Sequence, residues 1–344
     1  MEKRDLLKKR IRILFLLVLI VAVLAVLHIK TSGSDDPFTL SGRWFEKEIN
    51  GETAWVTVNQ GAMIHFQTEG AESAKLLFTE ISRLETPYYA YTIDGGEPVR
   101  KKITDGSILL PDRGKHEVCV VIDGITERED KWYGETGVAF HGIECDGKVR
   151  GTSPEQKTIL FIGDSITEGI MTLSDNAVSD YNSATHSFPW YTAKNLEMEP
   201  YFVGFGGSGI VAAGSFQTNS VALDYYSVSR PIPESDMPDC SLAVINTGTN
   251  DHGAESEVFT EGYRELLLKI HDRYPDAKVV CMIPFNQSHA DDIRAAAKDY
   301  AWCSIVETEG WEISYSDEGL HPDAAGSKVI GDNLAEYIRK EIDP

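Results

Sequence analysis

Four short motifs hold the residues whose types and spacing could do chemistry. The first, Gly163-Asp164-Ser165, follows an apolar strand-like segment and precedes a helix-like one. A serine placed there stands at a helix N-terminus, with its Oγ exposed and a backbone N–H pointing toward any nearby oxyanion. A nucleophile and an ordinary helix N-cap serine fit this position equally well. Thr167 stands where a G-x-S-x-G motif would need its second glycine, which argues against that nucleophile elbow.

Two further motifs supply groups that could stabilise an oxyanion. The glycine-rich run Gly204–Gly209 follows the next strand-like segment, and glycines let backbone N–H groups approach a ligand closely. Its spacing and its place after the second strand do not fit a dinucleotide-binding motif. Asn250 follows the third strand-like segment, and its amide can donate to an oxyanion. Taken alone, each motif is explained equally well as a turn.

The fourth motif places a histidine beside acids shortly before the C-terminal helix. His321-Pro322 follows Asp317 and Glu318, and Pro322 keeps this loop out of the helix. A histidine here can act as a general base, and a solvated loop histidine is the ordinary alternative. The chain therefore offers one serine, two kinds of oxyanion donor and one base, all at the ends of predicted elements.

Alternating strand-like and helix-like segments must position these motifs. Such alternation predicts an α/β domain with a parallel, doubly wound sheet over residues 157–344. In a sheet of order 2-1-3-4-5, strands 1, 2 and 3 are neighbours about 4.8 Å apart, and ligands bind at their carboxyl ends. The serine and both donors lie at those three ends. The predicted strands are Lys157–Ile162, Pro200–Phe205, Leu242–Asn246, Lys278–Ile283 and Ser304–Glu307, and the predicted helices are Val258–Tyr274, Ala290–Ala301 and Ala324–Ile342.

Residues 38–147 show a different pattern, of short strand-like segments without a strong helix. Trp55–Val58, Met63–Phe66 and Glu117–Ile122 are examples, and Asp94-Gly95-Gly96 supplies a tight turn between two others. Short strands separated by turn residues predict a β-sandwich or jelly roll. A polar connector at 148–156 then leads into the α/β domain.

The first thirty residues form a separate segment. Ile13–Leu27 is an unbroken apolar run between basic flanks, and no small-x-small cleavage site follows it. The run is marginal for a membrane span, which needs about 20 residues. These features favour an uncleaved signal anchor over residues 1–30, with a cleaved signal peptide as the alternative. Residues 31–37 are polar and are expected to form a linker. Because the basic cluster is N-terminal, we expect a body that faces outward.

Composition limits the partners and cofactors. The net charge is −22; residues 1–30 carry +5, so the rest of the chain carries −27. Such an acidic surface repels phosphate backbones, which argues against nucleic acid and fits neutral sugars better. The five cysteines form no CxxC or Cys/His cluster and are expected to be free thiols, although a Cys119–Cys145 disulfide stays open. No metal and no cofactor is predicted.

The four motifs together resemble a known family. In chain order, the blocks of the SGNH (GDSL-type) hydrolases are matched by Gly163-Asp164-Ser165, Gly206-Gly207, Gly248–Asp251 and His321-Pro322. The resemblance covers about residues 157–342 and implies a flavodoxin-like domain with a five-stranded parallel sheet of order 2-1-3-4-5. A β-sandwich before such a domain is similar to carbohydrate esterase family 2, the acetylxylan-esterase-like group. Phe140–Glu144, which closes the first domain, fits that layout.

The resemblance also implies roles for individual residues. Ser165 resembles the nucleophile and His321 its base. The oxyanion hole would consist of the backbone N–H groups of Ser165 and Gly207 and the side chain of Asn250. Gly207 is chosen from the glycine-rich run because the family's glycine is followed by a small polar residue, here Ser208.

The chain departs from the family at the acid of the triad. The family's residue three positions before the histidine is usually Asp, whereas this chain has Glu318. The neighbouring Asp317 is the second candidate. A site without an acid, in which a backbone carbonyl holds the ring of His321, is the third.

The expected function is that of a membrane-anchored, outward-facing serine esterase. It would remove O-acetyl groups from a plant or cell-wall polysaccharide such as xylan or glucomannan. One alternative is a GDSL-type lipase or lysophospholipase, but residues 170–198 are polar and aromatic, which favours sugar over lipid. The other is a non-catalytic carbohydrate-binding surface protein. The oligomeric state is left open.

Overall fold

The computed structural model describes residues 36–154, 157–212 and 218–342. Short strands fill the first of these ranges, as the turn-rich sequence predicts. In chain order they are β1 (Thr39–Ser41), β2 (Phe45–Ile49), β3 (Glu52–Thr57), β4 (Met63–Glu69), β5 (Ser73–Glu80), β6 (Tyr88–Ile93), β7 (Val99–Lys102), β8 (Ser107–Leu109), β9 (Lys115–Gly124), β10 (Val138–Cys145) and β11 (Lys148–Gly151).

These strands form a β-sandwich. One sheet has the order β1-β4-β9-β6-β7, with β11 on β4, and the other has the order β2-β3-β10-β5-β8. Ile64, Phe66, Val120 and Phe140 belong to the apolar core that they enclose. The predicted sandwich is therefore confirmed.

The connector predicted at 148–156 is shorter than expected, because its first four residues form β11. β11 pairs antiparallel with Phe66–Glu69 of β4. β1 pairs with Met63–His65 on the preceding part of the same strand. β11 thus covers the part of the β4 edge that β1 leaves open, and an uncovered edge would leave backbone groups unpaired.

The second half of the described chain alternates strands and helices. Its elements are β12 (Thr158–Gly163), α1 (Ser165–Glu168), α2 (Phe188–Leu196), β13 (Glu199–Gly204), α3 (Asn219–Ala222), β14 (Tyr225–Ser227), β15 (Arg230–Pro231), β16 (Cys240–Asn246), α4 (Ser256–Arg273), β17 (Lys278–Met282), α5 (Ala290–Ala297), β18 (Cys303–Val306) and α6 (Ala324–Glu341). Five of the strands form a parallel sheet of order β13-β12-β16-β17-β18. This is the expected order 2-1-3-4-5.

The central strand β12 explains how helices come to cover both faces of this sheet. Its side chains alternate between two apolar clusters, as the period of a strand requires. Ile159 and Phe161 join the cluster that contains residues of α2 and α6. Leu160 and Ile162 join the cluster that contains residues of α4 and α5. On α4 the buried residues follow a helical spacing and are Phe259, Tyr263, Leu266, Leu267 and Ile270.

The sandwich and the parallel sheet share part of one core. Val56, Val58 and Trp132 from the sandwich lie in the same buried cluster as Tyr201 and Phe205. The chain from Phe38 onward accordingly forms one compact unit. Burial of this shared apolar surface favours a fixed arrangement of the sandwich and the parallel sheet rather than independent movement.

The predicted signal anchor over residues 1–30 lies outside the described residues, as does most of the predicted linker at 31–37. Within the three described ranges, no helix combines the length and the apolar character that crossing a membrane requires.

One glycine at the contact between sandwich and sheet gives a stability test. Gly61 has φ +80°, and a Cβ there would come within 3.0 Å of the ring of Phe202. Gly51 has φ +88° with nothing within 4 Å of a Cβ. We expect Gly61→Ala to lower the free energy of unfolding by about 2–4 kcal/mol, from the left-handed backbone and overpacking together. Gly51→Ala should lose only about 1–2 kcal/mol. Equal losses in denaturant titrations would contradict this reading of Gly61.

Candidate active site

Ser165 is placed by the short turn from β12 into α1. It is the first residue of α1, and the carboxylate of Asp164 caps the helix by accepting from the Ile166 N–H at 2.9 Å. Gly163 must be a glycine, because a Cβ there would come within 3.0 Å of Thr167 Oγ1 and of the Asn246 carbonyl oxygen. Ser165 itself is only partly buried, so its hydroxyl is open to a ligand.

His321 reaches Ser165 from the loop before α6. Its Nε2 lies 2.8 Å from Ser165 Oγ. Its Nδ1 lies 2.7 Å from Glu318 Oε1. A carboxylate accepts only, so the Nδ1 proton belongs on the Glu318 side. Nε2 is then free to accept the hydroxyl proton of Ser165. The side chains of Glu318, His321 and Ser165 thus form one hydrogen-bonded chain.

Of the acids considered for this position, Glu318 is the one that contacts the histidine ring. The same Oε1 also accepts from the backbone N–H of His321 at 2.6 Å. Partial burial raises the pKa of Glu318, but the hydrogen bonds from His321 outweigh it and the net pKa is lowered. Asp317 makes no hydrogen bond to His321; its backbone N–H donates to Asp175 Oδ1 at 2.5 Å.

The predicted oxyanion donors follow the neighbouring strands. Gly207 lies just after β13 with φ +73°, a conformation that favours glycine. Asn250 follows β16, and its Nδ2 donates to the Ser208 carbonyl at 2.9 Å and to Asp164 Oδ2 at 3.2 Å. The Asn250 amide is therefore tied to the residue before Ser165 and to the residue after Gly207. All three strand ends contribute to one site.

The other glycines of this turn are explained by packing. A Cβ at Gly206 would come within 3.0 Å of the carboxylate of Glu127, and one at Gly209 within 3.0 Å of the carboxylate of Asp251. The Asp251 carboxylate accepts from the backbone N–H groups of residues 210–212 at 3.0, 2.8 and 2.8 Å. Sequence reasoning gave Asp251 no role, although an acid directly after Asn250 was the available signal. The Asp251 carboxylate fixes the turn that carries Gly207.

Asp164 is buried beside these groups. Burial raises its pKa to about 7; the Ile166 N–H opposes the shift and the charge of Asp251 adds to it. A neutral Asp164 removes one negative charge from the neighbourhood of the oxyanion donors at neutral pH and below. The Gly-Asp-Ser motif thus contributes a helix cap whose charge is partly suppressed.

Residues of the sandwich also hold the site, and nothing in the sequence identified them. Asn59 Nδ2 donates to the carbonyl of Gly204 at 3.1 Å, at the end of β13. Gln60 Nε2 donates to the carbonyl of Glu168 at 2.7 Å, at the end of α1. Both lie in the turn between β3 and β4 and are buried. These bonds satisfy carbonyls at the ends of two elements that carry the site.

The segment that follows α1 is organised by a fully buried acid of the sandwich. Asp123 accepts from Ser183 Oγ at 2.9 Å and from the Thr185 N–H at 2.8 Å. It also pairs with Arg100 Nε at 2.6 Å. Asn182 Nδ2 donates to the carbonyl of Ile125 at 2.7 Å. The segment that follows α1 is therefore held to the sandwich by polar contacts.

The five cysteines are free thiols in the structure, including Cys119 and Cys145. Burial raises the pKa of Cys240 to about 11. Within residues 36–154, 157–212 and 218–342, no three His, Cys, Asp or Glu side chains are grouped so that they could hold a metal ion.

Comparison with known proteins gives one family match and several relatives. Residues 161–329 match the GDSL-like Lipase/Acylhydrolase family. The chain is similar to Cellulase/esterase CelE of Acetivibrio thermocellus, with 27% identity over 284 residues that cover 74% of this chain and 32% of that protein. It is similar to the Acetylxylan esterase / glucomannan deacetylase of Cellvibrio japonicus, with 26% identity over 250 residues, 67% of this chain and 64% of that protein. The chain spans about a third and just under two thirds of these relatives' lengths.

Solved structures share the fold over both the sandwich and the parallel sheet. A family two carbohydrate esterase from Cellvibrio japonicus superposes with TM-score 0.72 and 16% identity, covering 90% of this chain and 97% of that one. A family two carbohydrate esterase from Clostridium thermocellum in complex with cellohexaose gives TM-score 0.69 and 19% identity, covering 89% and 99%. At these identities the likeness is one of fold.

Proposed function

Because residues 161–329 match the GDSL-like Lipase/Acylhydrolase family, we propose that this chain is a serine esterase that removes O-acetyl groups from a polysaccharide outside the cell. The observation that carries the proposal is the hydrogen-bonded chain Glu318–His321–Ser165, with distances of 2.7 and 2.8 Å. The names of the relatives, an acetylxylan esterase / glucomannan deacetylase and a cellulase/esterase, support a polysaccharide substrate.

In the proposed mechanism, His321 Nε2 takes the proton of Ser165 as Oγ attacks the acetyl carbonyl carbon. Glu318 holds the ring and stabilises the imidazolium that forms. His321 then gives the proton to the departing sugar oxygen, which leaves an acetyl group on Ser165. A water molecule, activated by the same Nε2, attacks this acyl group and releases acetate. His321 passes the proton it took from this water to Ser165 Oγ as the acyl C–O bond breaks, which restores the free serine and the neutral histidine.

The negative charge of each tetrahedral intermediate would be met by the N–H groups of Ser165 and Gly207 and by Asn250 Nδ2. Asn250 makes one short and one longer hydrogen bond, 2.9 Å to Ser208 and 3.2 Å to Asp164. One Nδ2 hydrogen must turn from the Asp164 contact to the oxyanion. This exchange breaks the longer bond, to Asp164, and keeps the shorter bond to Ser208, which holds the amide in place.

The first test is Ser165→Ala. Among the described residues, the Ser165 hydroxyl hydrogen-bonds only to His321, so the variant should fold normally. We expect acetate release from acetylated xylan and glucomannan to fall by a factor of about 10³ or more, because the nucleophile is lost. Unchanged thermal unfolding is the control. Activity within a few-fold of wild type would exclude the mechanism, and faster hydrolysis of octanoyl than acetyl esters would indicate a lipase instead.

The second test separates the two acids. Glu318→Gln should reduce kcat at least tenfold with little change in KM, because the ring of His321 loses its charged partner; the corresponding loss in a serine protease is about 10⁴. Asp317→Asn is the matched control and should stay near wild type, since Asp317 makes no hydrogen bond to His321. Full activity of both amide variants would favour a Ser165–His321 dyad.

The location of the enzyme is part of the proposal. The basic residues before the apolar run Ile13–Leu27 support an anchor with the body outside. We expect the full chain to sediment with membranes and its body to be digested by protease added to intact cells. Recovery from the medium of a form that starts near Ser32 would show cleavage instead.

A further inference from the structure

A cluster of three charged side chains, two of them buried and one partly buried, lies next to α1. Lys131 Nζ donates to Glu168 Oε1 at 2.6 Å and to Glu127 Oε1. Lys131 is 3% exposed and Glu168 is 1% exposed. We call Glu127, Lys131 and Glu168 the buried ion trio. Its members come from two different parts of the fold, because Glu127 and Lys131 lie between β9 and β10 of the sandwich.

One end of the buried ion trio is fixed to the helix that carries the nucleophile. Glu168 is the last residue of α1, three positions after Ser165. Residues three apart in a helix lie on the same face, one turn apart. The carbonyl of Glu168 is held separately by Gln60 at 2.7 Å. A displacement of the Glu168 side chain would therefore also displace the four-residue helix that begins with Ser165.

The other end lies against the turn that carries the second oxyanion donor. The Glu127 carboxylate occupies the space where Gly206 would carry a Cβ. Gly207 is the next residue. Lys131 Nζ also lies 5.9 Å from the ring centroid of Phe205, one residue before Gly206. The buried ion trio thus contacts α1 and the 205–207 turn at the same time.

Burial makes the ion pairs of this contact costly to break. An unpaired lysine in such a place is costly, and removing one partner of a buried pair is far more damaging than removing an exposed one. Burial raises the pKa of Glu168 to about 8, with the charge of Glu127 adding to the shift and Lys131 opposing it. Lys131 therefore bridges the two acids, and movement of either acid would break one of its two ion pairs.

We propose that Lys131 is a positioning residue for the esterase reaction, an inference that rests on the function proposed above. By binding both acids, Lys131 holds α1 and the Gly206–Gly207 turn at a fixed separation. In this proposal, the fixed separation keeps the N–H groups of Ser165 and Gly207 directed at one point, the position of the oxyanion. On this view the sandwich supplies part of the catalytic geometry.

A second ion cluster on the same segment provides the matched control. Glu135 binds Lys47 Nζ at 2.6 Å and Arg230 Nε at 2.5 Å, and its side chain is 10% exposed. It likewise joins the sandwich to the α/β part, through β2 and β15. Its hydrogen bonds go to Lys47, Ser227 and Arg230 and to no residue of α1 or the 205–207 turn.

The experiment compares Lys131→Met with Glu135→Gln, each of which neutralises the centre of its cluster. Two rates are measured below the unfolding temperature of both variants: hydrolysis of 4-nitrophenyl acetate, and inactivation by diethyl 4-nitrophenyl phosphate. The second reagent phosphorylates the active serine and places its phosphoryl oxygen in the oxyanion hole. We expect Lys131→Met to lower kcat and the inactivation rate at least tenfold, with KM within threefold. One lost oxyanion donor typically costs a factor of about 10²–10³. Glu135→Gln should stay within twofold.

A loss in Lys131→Met below tenfold, or an equal loss in Glu135→Gln, would overturn the inference. If Lys131→Met does not fold, Glu127→Gln decides by the same comparison, since it leaves Lys131 paired with Glu168. It should lower kcat at least fivefold, and a smaller loss would overturn the inference. Failure of the proposed function looks different, because wild type would then lack Ser165-dependent hydrolysis.

Discussion

The parallel register of β12 with its two neighbours is the constraint on which the site depends. Gly163 pairs with Gly204 of β13 on one side and with Asn246 of β16 on the other. The three strands therefore end at the same level, about 4.8 Å apart. Every group that follows them is delivered to one edge of the sheet, which includes Ser165, Gly207 and Asn250. A shift of one strand by one residue would separate the nucleophile from its donors.

Close approach at this edge explains why glycine recurs there. Gly163, Gly206 and Gly209 each lie against another group, and in each case a Cβ would come within 3.0 Å of it. The groups concerned are a threonine hydroxyl and two carboxylates that support the site. The glycine-rich run lets two carboxylates, those of Glu127 and Asp251, lie against the backbone. The glycines therefore mark the positions where supporting side chains pack against the backbone of the site.

The sequence could predict those parts of the fold and site that depend on local pattern. Strand and helix periods predicted the parallel sheet; Ser165 and Asn250 follow two of its strands, and His321 shortly precedes the last helix. The choice between Glu318 and Asp317 depends on the geometry of a short turn, which brings the N–H of His321 back to Glu318 Oε1 and which residue types alone do not specify. The roles of Gln60 and Lys131 could not be predicted, because their partner Glu168 lies 108 and 37 residues away along the chain, respectively. Nothing in a single sequence shows which polar residues become buried together.

The way in which the sandwich and the parallel sheet meet also explains why polar and charged groups occupy this contact. Apolar packing of Val56, Trp132 and Phe205 would hold the sandwich against the sheet without fixing one alignment, because apolar contacts are not directional. Asn59, Gln60 and Lys131 add bonds that are directional and that are costly to break when buried. Each of them ends on β13 or α1, the elements that carry Gly207 and Ser165. Directional contacts are thus concentrated where a displacement of 1 Å would matter most for chemistry.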